Sequence, residues 1–351
     1  MTAFPIFDGH NDVLLRLLPK GGGAARAFVA GDGEGHLDLP RMRKGGFAGG
    51  LFAVFLPSPD FGHVDHLMRQ ATYDVPLPLP LDPAAARPVA EAMAAILFRI
   101  EREAAGAVRI CRTAAEIRQS IRDGVLATVL HFEGAEAIDT SLDALEVWHA
   151  AGLRSLGLVW SRPTAFGHGV PFRYPSSPDT GDGLTEAGVR LVRACNEKRI
   201  LVDLSHLNEK GFWDVARISD APLVATHSNA HALSPHARNL TDDQLAAIRE
   251  SRGMVGVNFA TSFIRPDGRM DAATPLDQLL RHFDHLVEKV GIDGVGFGSD
   301  FDGATVPDEI QDVTGLPAVV EALRRHGWDE PSLRKLCWEN WVSVLERTWG
   351  G

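Results

Sequence analysis

The sequence predicts an α/β fold, namely a (β/α)8 barrel of the TIM type in which residues 1–351 form a single domain with inserted βα loops and a C-terminal helix. Eight short apolar or glycine-rich runs recur along the chain, and most segments between them show helical periodicity. Several runs also end in a polar side chain, as expected where barrel strands meet an active site. The runs are Phe4–Phe7, Gly50–Leu56, Leu126–Phe132, Ser155–Trp160, Leu201–Leu204, Leu223–Thr226, Met254–Phe259 and Val295–Gly298.

The segments between the runs contain recognisable helix starts. Thr185 and Glu186 precede the helical run Gly188–Lys198, and residues 241–244 form a capping box ahead of Leu245–Ser251. An alanine-rich helix is predicted from about Pro83 to Ala105. Strands that alternate with helices in this way favour a closed barrel over an open doubly wound sheet.

Three segments depart from the alternation. Val75–Pro83 contains too much proline for a helix interior or a central strand, so we expect an extended loop after the second strand. Arg162–Gly183 is rich in proline, glycine and serine and follows the fourth strand, which predicts a lid or part of a substrate pocket. Ser332–Trp349 has helical spacing and is predicted to close the barrel from outside.

Composition narrows the class of protein. The chain of 351 residues is 45% apolar and 23% charged, and its net charge of −11 comes without a basic patch, so nucleic acid is not an expected partner. Cys111, Cys195 and Cys337 lack CxxC spacing, which predicts buried thiols rather than disulfides or a thiolate zinc site. The sequence shows neither a secretory signal nor about 18 consecutive apolar residues, which predicts a cytoplasmic protein without a membrane partner.

The stretch Phe297–Gly303 places Asp300 and Asp302 among glycines directly after a short buried strand. At the first strand, His10 and Asp12 lie two residues apart, so both side chains point to the same side of an extended segment. A His-x-Asp pair alone is weak evidence for a metal site. The ends of barrel strands converge, however, so residues from separate strands can contribute to one pocket.

Three further strand ends carry residues of the same chemical kind, namely Glu133, His206 and His227. A buried carboxylate is costly unless a cation or hydrogen bonds satisfy it, and solvation at the strand end is the structural alternative for Glu133. For each histidine the alternative is a hydrogen-bonded structural role. The combination is more informative than any member, because chance would scatter such residues along the chain.

The residue types suit zinc or a similar divalent ion, since histidine and carboxylate ligands occur without a thiolate. One ion would not use all of these ligands, so we expect two zinc ions per subunit that share a carboxylate and lie about 3.5–4 Å apart. None of the six lysines lies at a predicted strand end, which disfavours a carbamylated-lysine bridge. Glu133 is therefore the predicted bridging ligand.

Six short motifs extend the pattern over nearly the whole chain. They are Asp8-Gly9-His10-Asn11-Asp12, Glu133-Gly134, Asp203-Leu204-Ser205-His206, Thr226-His227-Ser228-Asn229, Arg238-Asn239 and Gly298-Ser299-Asp300-Phe301-Asp302-Gly303. Each motif alone is unspecific, but together and in this order they are highly specific. With them, the chain resembles the membrane (renal) dipeptidase family of zinc peptidases, a branch of the metal-dependent amidohydrolase-like barrels.

The resemblance implies a division of the ligands between two ions, and the family's dimers suggest a homodimer. It also implies that Arg238 binds the substrate carboxylate, for which a planar, two-pronged cation is suited. The implied ligands are His10 and Asp12 for one zinc, His206 and His227 for the other, and Glu133 as the bridge.

The chain departs from the family after the fourth strand. Trp160 stands where the family motif has a histidine that contacts the substrate, which leaves the carbonyl-polarising role unassigned. His168, eight residues further on, is a candidate replacement, and a solvated loop histidine is its alternative interpretation. Trp160 and His168 are therefore candidate substrate-binding residues.

The predicted activity is metal-dependent hydrolysis of free dipeptides, L-D dipeptides among them. Asp300 is the predicted catalytic residue, which would orient the attacking water, accept its proton and pass it to the leaving amine. A second enzymatic interpretation keeps the metals and changes the substrate to a related amide, such as an N-acyl amino acid, a dehydropeptide or a β-lactam-like ring. A non-catalytic binding protein is disfavoured, because such a barrel should have lost a ligand or the acid–base residue.

Overall fold

A computed structural model describes residues 4–59 and 64–350 of the chain. Eight parallel strands form a closed barrel, as the sequence predicts. A short ninth strand extends the sheet beside the third barrel strand, and two more form a separate small sheet. In chain order the strands are β1 Ile6–Asn11, β2 Phe47–Phe55, β3 Tyr73–Asp74, β4 Val108–Ile110, β5 Leu126–Glu133, β6 Leu153–Gly157, β7 Arg173–Tyr174, β8 Leu201–Asp203, β9 Val224–Ser228, β10 Met254–Val257 and β11 Val295–Phe297.

The barrel strands follow one another around the ring in the order β2-β1-β11-β10-β9-β8-β6-β5, and β2 pairs with β5 to close it. The closing pair runs in continuous register from Gly49 opposite Ala127 to Phe55 opposite Glu133. Every pairing within the ring is parallel. The carboxyl ends of all eight strands therefore meet at one face.

Helices surround the barrel and connect its strands. The segment predicted as a helix from Pro83 to Ala105 is helical to Glu103, and the preceding proline-rich residues are irregular, as expected. The helices are α1 Val13–Leu17, α2 Ala24–Ala30, α3 Leu39–Lys44, α4 Asp65–Met68, α5 Pro83–Glu103, α6 Ala114–Asp123, α7 Asp143–Ala151, α8 Glu186–Lys198, α9 Glu209–Ile218, α10 Asp242–Glu250, α11 Thr261–Ile264, α12 Leu276–Val290, α13 Leu316–Arg325, α14 Glu330–Arg334 and α15 Asn340–Trp349, with 3₁₀ turns at Leu18–Gly23, Ile292–Gly294 and Val313–Gly315.

The predicted caps and thiols agree with the structure. Thr241 and Gln244 form the reciprocal hydrogen bonds of a capping box at the start of α10, and Thr185 caps α8. All three cysteines are buried and free. Across residues 4–59 and 64–350, no helix combines the length and apolar character needed to span a bilayer.

The C-terminal segment is helical but is not one helix. A π-helical turn at Lys335–Glu339 separates α14 from α15, and Trp341 of α15 inserts among inward-facing strand residues such as Phe7 and Met254. The Trp341 indole is fully buried, and its Nε1–H donates to the carbonyl oxygen of Phe297 at 2.8 Å. The segment therefore closes the barrel by inserting a side chain into it rather than by lying only on its outside.

Replacing Trp341 by alanine is expected to lower the free energy of unfolding by about 3–5 kcal/mol, because the substitution leaves a large cavity inside the barrel. Urea unfolding followed by far-UV circular dichroism measures this loss. Trp213 is the matched control, since 36% of its surface is exposed on α9 and its replacement by alanine should cost much less than that of the fully buried Trp341. Equal losses for the two variants would contradict the packing role of Trp341.

Candidate metal centre and substrate cleft

The carboxyl ends of five strands bring six predicted site residues together. Three of them lie at or next to the last position of β1, β5 and β9. The other three lie in the segments directly after β1, β8 and β11. All six side chains are buried at 9% exposure or less. They are His10, Asp12, Glu133, His206, His227 and Asp300.

Glu133 lies at the centre of the group. Its Oε1 is 2.9 Å from His206 Nε2 and 3.4 Å from His227 Nε2, and its Oε2 is 3.7 Å from His10 Nε2. One oxygen thus faces His206 and His227 and the other faces His10, whose ring stacks on that of His227 with the ring centres 3.8 Å apart. A carboxylate in this position has the geometry of a ligand shared between two ions.

A second potential ligand group lies on the His10 side. The ligand atoms of His10, Asp12 and Asp300 lie within 4.8 Å of one another, as do those of His10, Glu133 and His227. His10 Nε2 is 3.2 Å from Asp12 Oδ2. Asp300 is therefore close enough to act either as a ligand or on a group bound beside the ligands.

Several buried polar atoms in this group lack a partner among the described residues. His10 Nδ1 and Asp12 Oδ1 have no hydrogen bond. The Nε2 atoms of His206 and His227 lie 3.1 Å apart. Buried polar groups are normally satisfied, so imidazoles and carboxylates with free ligand atoms at this spacing fit divalent cations.

The charges of the site support the same conclusion. Burial opposes a charged His10, but the carboxylates of Glu133 and Asp12 outweigh it and raise the pKa of His10 to about 10. Burial holds the pKa of His206 and His227 well below the usual value, and the positive charges of Arg238 and His10 add to this effect. The site therefore attracts positive charge while keeping two imidazoles in the neutral form that binds metals.

Hydroxyl groups behind the histidines orient the rings. The Thr226 hydroxyl donates to Asp203 Oδ2 at 2.6 Å and lies 2.8 Å from His227 Nδ1, so it accepts the Nδ1–H and leaves the Nε2 lone pair facing the cluster. Ser161 Oγ lies 2.9 Å from His206 Nδ1 and is placed to do the same. Such outer contacts fix the orientation of metal-binding histidines.

Asp300 is held in a left-handed turn after β11, with φ of 60°. The preceding residue, Ser299, donates to buried Asp8 from its backbone N–H and its hydroxyl, both at 2.7 Å. Asn258 Nδ2 donates to Asp300 Oδ2 at 2.9 Å. A non-glycine residue at positive φ is unfavourable by itself, so these contacts are needed to hold the carboxylate in place.

Arg238 is a buried cation close to this cluster. Its guanidinium donates to Ser228 Oγ at 3.3 Å and to the carbonyl oxygen of His227 at 3.0 Å, and it lies 5.4 Å from the Phe263 ring centre. Its Nε has no hydrogen-bond partner, and in the described part of the chain no carboxylate forms an ion pair with it. The guanidinium therefore has no carboxylate in direct contact, although the charges of Asp300 and Glu133 act on it.

A model of the membrane dipeptidase family, peptidase family M19, matches residues 1–349. The chain belongs to this family. A crystal structure of a metallo peptidase from Rhodobacter sphaeroides, liganded with a phosphinate mimic of the dipeptide L-Ala-D-Ala, is 61% identical with a TM-score of 0.98, covering 99% of this chain and 100% of that one. The resemblance stated from the motifs is thus confirmed.

Two further proteins are similar to this chain over most of its length. A crystal structure of dipeptidase AC, described as a metallo peptidase of family M19, is also 61% identical, with a TM-score of 0.98 and full coverage of both chains. A protein of Klebsiella pneumoniae, named as an uncharacterized protein in the pqqA 5′ region, is 51% identical over 255 residues, which cover 73% of this chain and 94% of the relative.

In this membrane dipeptidase family member the cluster opens into a cleft of about 590 Å³. Asp12, Glu133, His206 and Asp300 line the cleft, and Trp160 lines it as well. The Trp160 ring lies 5.9 Å from the ring of His206. Trp160 therefore lies beside the candidate metal ligands, and its role in substrate binding stays a prediction.

His168 is not brought into this cleft. It lines a separate cavity with residues such as Asp74 and Arg173, and its backbone carbonyl accepts a hydrogen bond from the N–H of Asn208. The seven residues that separate it from Trp160 lead the chain away from the candidate metal ligands. The structure thus gives His168 no contact that would let it replace the missing histidine.

Other residues at the site were not singled out from the sequence. Asn258 directly follows β10, a position like those of the candidate ligands after their strands. The predicted strand ran from Met254 to Phe259, so Asn258 was placed inside the strand rather than at its end. Arg162 and Glu136 form a fully buried ion pair at 2.6 Å, and Arg162 also donates to the carbonyl oxygen of Leu56. No local pattern reveals such a pair, because its members come from different loops.

Proposed function

We propose that the chain acts as one domain that hydrolyses the peptide bond of free dipeptides, L-D dipeptides among them, with the help of two zinc ions. The observation that carries the proposal is the Glu133 carboxylate, which faces His10 with one oxygen and both His206 and His227 with the other. The dipeptide mimic bound to the 61% identical Rhodobacter sphaeroides peptidase supports the substrate class.

In this proposal the ligands are divided between two ions. Bound ions would act as Lewis acids that lower the pKa of water and stabilise negative charge on the substrate carbonyl. Imidazole and carboxylate side chains are ligands of the type that zinc prefers, and His10 would release its proton on binding an ion. His10 and Asp12 would hold one ion, His206 and His227 the other, and Glu133 both.

Asp300 is the proposed acid–base residue. Asn258 donates to one of its oxygens, Oδ2, which leaves the other available for a water or an amine at the floor of the cleft. In that position the carboxylate would accept the proton of the attacking water and transfer it to the nitrogen of the leaving amino acid. The proton returns with the product, so the residue is restored after each turnover.

Arg238 is the proposed anchor for the C-terminal carboxylate of the substrate. Replacing it by glutamine is expected to lower kcat/KM for a dipeptide by about 10–100-fold, because a hydrogen-bonded charge pair is lost. The same replacement should change kcat/KM much less for the C-terminal amide of that dipeptide, which lacks the carboxylate. Steady-state kinetics with both compounds measures the difference, and an equal loss for both would contradict the assignment.

A panel of free dipeptides in the L-L and L-D series tests the function directly. N-acyl amino acids, dehydropeptides and β-lactams belong in the same panel, because the same metal centre could act on any of these amides. We expect cleavage of free dipeptides with a kcat/KM at least tenfold above that for the other compounds. Preferential cleavage of another class would leave the metal centre in place and replace the proposed substrate.

A further inference from the structure

An aromatic wall bounds one side of the cleft. It consists of Phe55, Trp160, Phe172 and Phe263, whose neighbouring ring centres lie 4.9, 5.5 and 6.0 Å apart in that order. All four residues line the cleft, and the first three are only half-buried. Aromatic rings that keep apolar surface exposed inside a concave site provide a surface for an apolar ligand group.

Phe172 and Phe263 of the aromatic wall belong to an apolar cluster that is separate from the barrel core. This cluster contains Met68, Ala260 and Phe263 as buried members and packs against Val64 and Met270. The small sheet formed by β3 and β7 belongs to the same cluster and carries the chain next to Phe172. The wall is therefore a packed surface rather than a set of isolated side chains.

Another part of the cleft lining is polar. Arg16, His36 and Asp302 line it, and the backbone N–H of Asp302 donates to His36 Nδ1 at 2.8 Å. A neutral His36 therefore has its hydrogen on Nε2 and can donate it. Arg16 Nε in turn donates to Asp302 at 3.2 Å. Polar substrate groups find partners on this side, whereas the three phenylalanine rings of the aromatic wall offer none.

The aromatic wall spans the distance between the metal ligands and Arg238. The Phe172 ring lies 6.4 Å from the ring of His206, and the Phe263 ring lies 5.4 Å from the Arg238 guanidinium carbon. A dipeptide with its scissile carbonyl at the metal ligands and its carboxylate at Arg238 must place its C-terminal residue between these points. That residue then lies alongside Phe172 and Phe263.

We propose that the aromatic wall is the subsite for the side chain of the C-terminal residue, and that this chain prefers dipeptides whose C-terminal residue is apolar and at least as large as leucine. The inference rests on the proposed dipeptidase function and on the orientation set by Arg238. A polar side chain would lose its water against the phenylalanine rings without gaining a hydrogen bond, which disfavours it.

The test compares three substrates that share an N-terminal alanine and end in alanine, leucine or asparagine, in both the L-L and L-D series. In the preferred series we expect kcat/KM for the leucine dipeptide to exceed that for each of the others by about 10–100-fold. Asparagine matches leucine in size, so it separates apolar character from volume. Phe172→Ala should lower kcat/KM for the leucine dipeptide at least tenfold more than for the alanine dipeptide.

Two further variants make the test specific. Phe172→Leu keeps an apolar side chain at this position and should retain most of the preference for leucine, while Trp213→Ala, on the outside of α9, should change none of the ratios. Cleavage of all three dipeptides at similar rates, or an equal loss for all three in Phe172→Ala, would overturn the subsite. Failure of the wild-type protein to cleave any dipeptide would instead overturn the proposed function on which it rests.

Discussion

Replacing Asp300 by asparagine is expected to lower kcat for dipeptide hydrolysis by about 10²–10⁴-fold while bound metal stays near the wild-type level. Asparagine matches aspartate in shape and can still pair with Asn258, but it cannot accept the proton of the attacking water. Dipeptide kinetics and elemental analysis on the same preparation measure the two quantities. The diagnostic result is a loss of turnover without a loss of bound metal.

The outcome distinguishes two roles for Asp300, namely proton transfer and metal binding. Loss of metal together with activity would make Asp300 a ligand, as its proximity to His10 and Asp12 permits. Near wild-type kcat would exclude it from proton transfer. Asp293→Asn is the matched control, because the Asp293 side chain is 79% exposed and pairs with Lys335. This variant should leave kcat and metal content unchanged.

Replacing Glu133 by glutamine is expected to abolish both metal binding at full stoichiometry and turnover, with kcat lowered by at least about 10³-fold. The amide keeps the volume of the side chain but carries one acceptor oxygen and one donor, so it cannot present two anionic oxygens to a pair of ions. Isothermal titration of the metal-free variant with zinc, alongside dipeptide kinetics, measures the effect.

Glu136 provides the control for this second replacement. It lies three residues further along the chain and is also buried, but its carboxylate pairs with Arg162 rather than with the histidines. Glu136→Gln is expected to lower stability while the folded fraction still binds zinc at the wild-type stoichiometry. A Glu133→Gln protein that bound two ions and turned over normally would contradict the bridging assignment.

The barrel and its metal-ligand cluster could be predicted because both depend on local signals. A buried strand is a short apolar run, and a polar residue at its end is visible without knowing which strands are neighbours. Once eight such runs imply a closed barrel, convergence of their ends follows from the topology. This is why His10, Glu133 and His227 could be assigned to one site from widely separated positions.

Residues without a strand-end signal were harder to find. Arg238 lies in the loop after β9, and only the family resemblance drew attention to it. His168 follows Trp160 closely in sequence, but it lines a cavity separate from the cleft. Loop geometry depends on distant packing partners, as with Trp341, whose place inside the barrel is set by strands far away in sequence.

The most direct test of the account is a zinc titration of metal-free protein, followed by hydrolysis of a dipeptide at each step. The two-ion mechanism predicts no activity without metal and a rise to full activity that saturates at two ions per chain, with Glu133 shared between them. Dipeptide cleavage by rigorously metal-free protein, or saturation at a single ion, would contradict it.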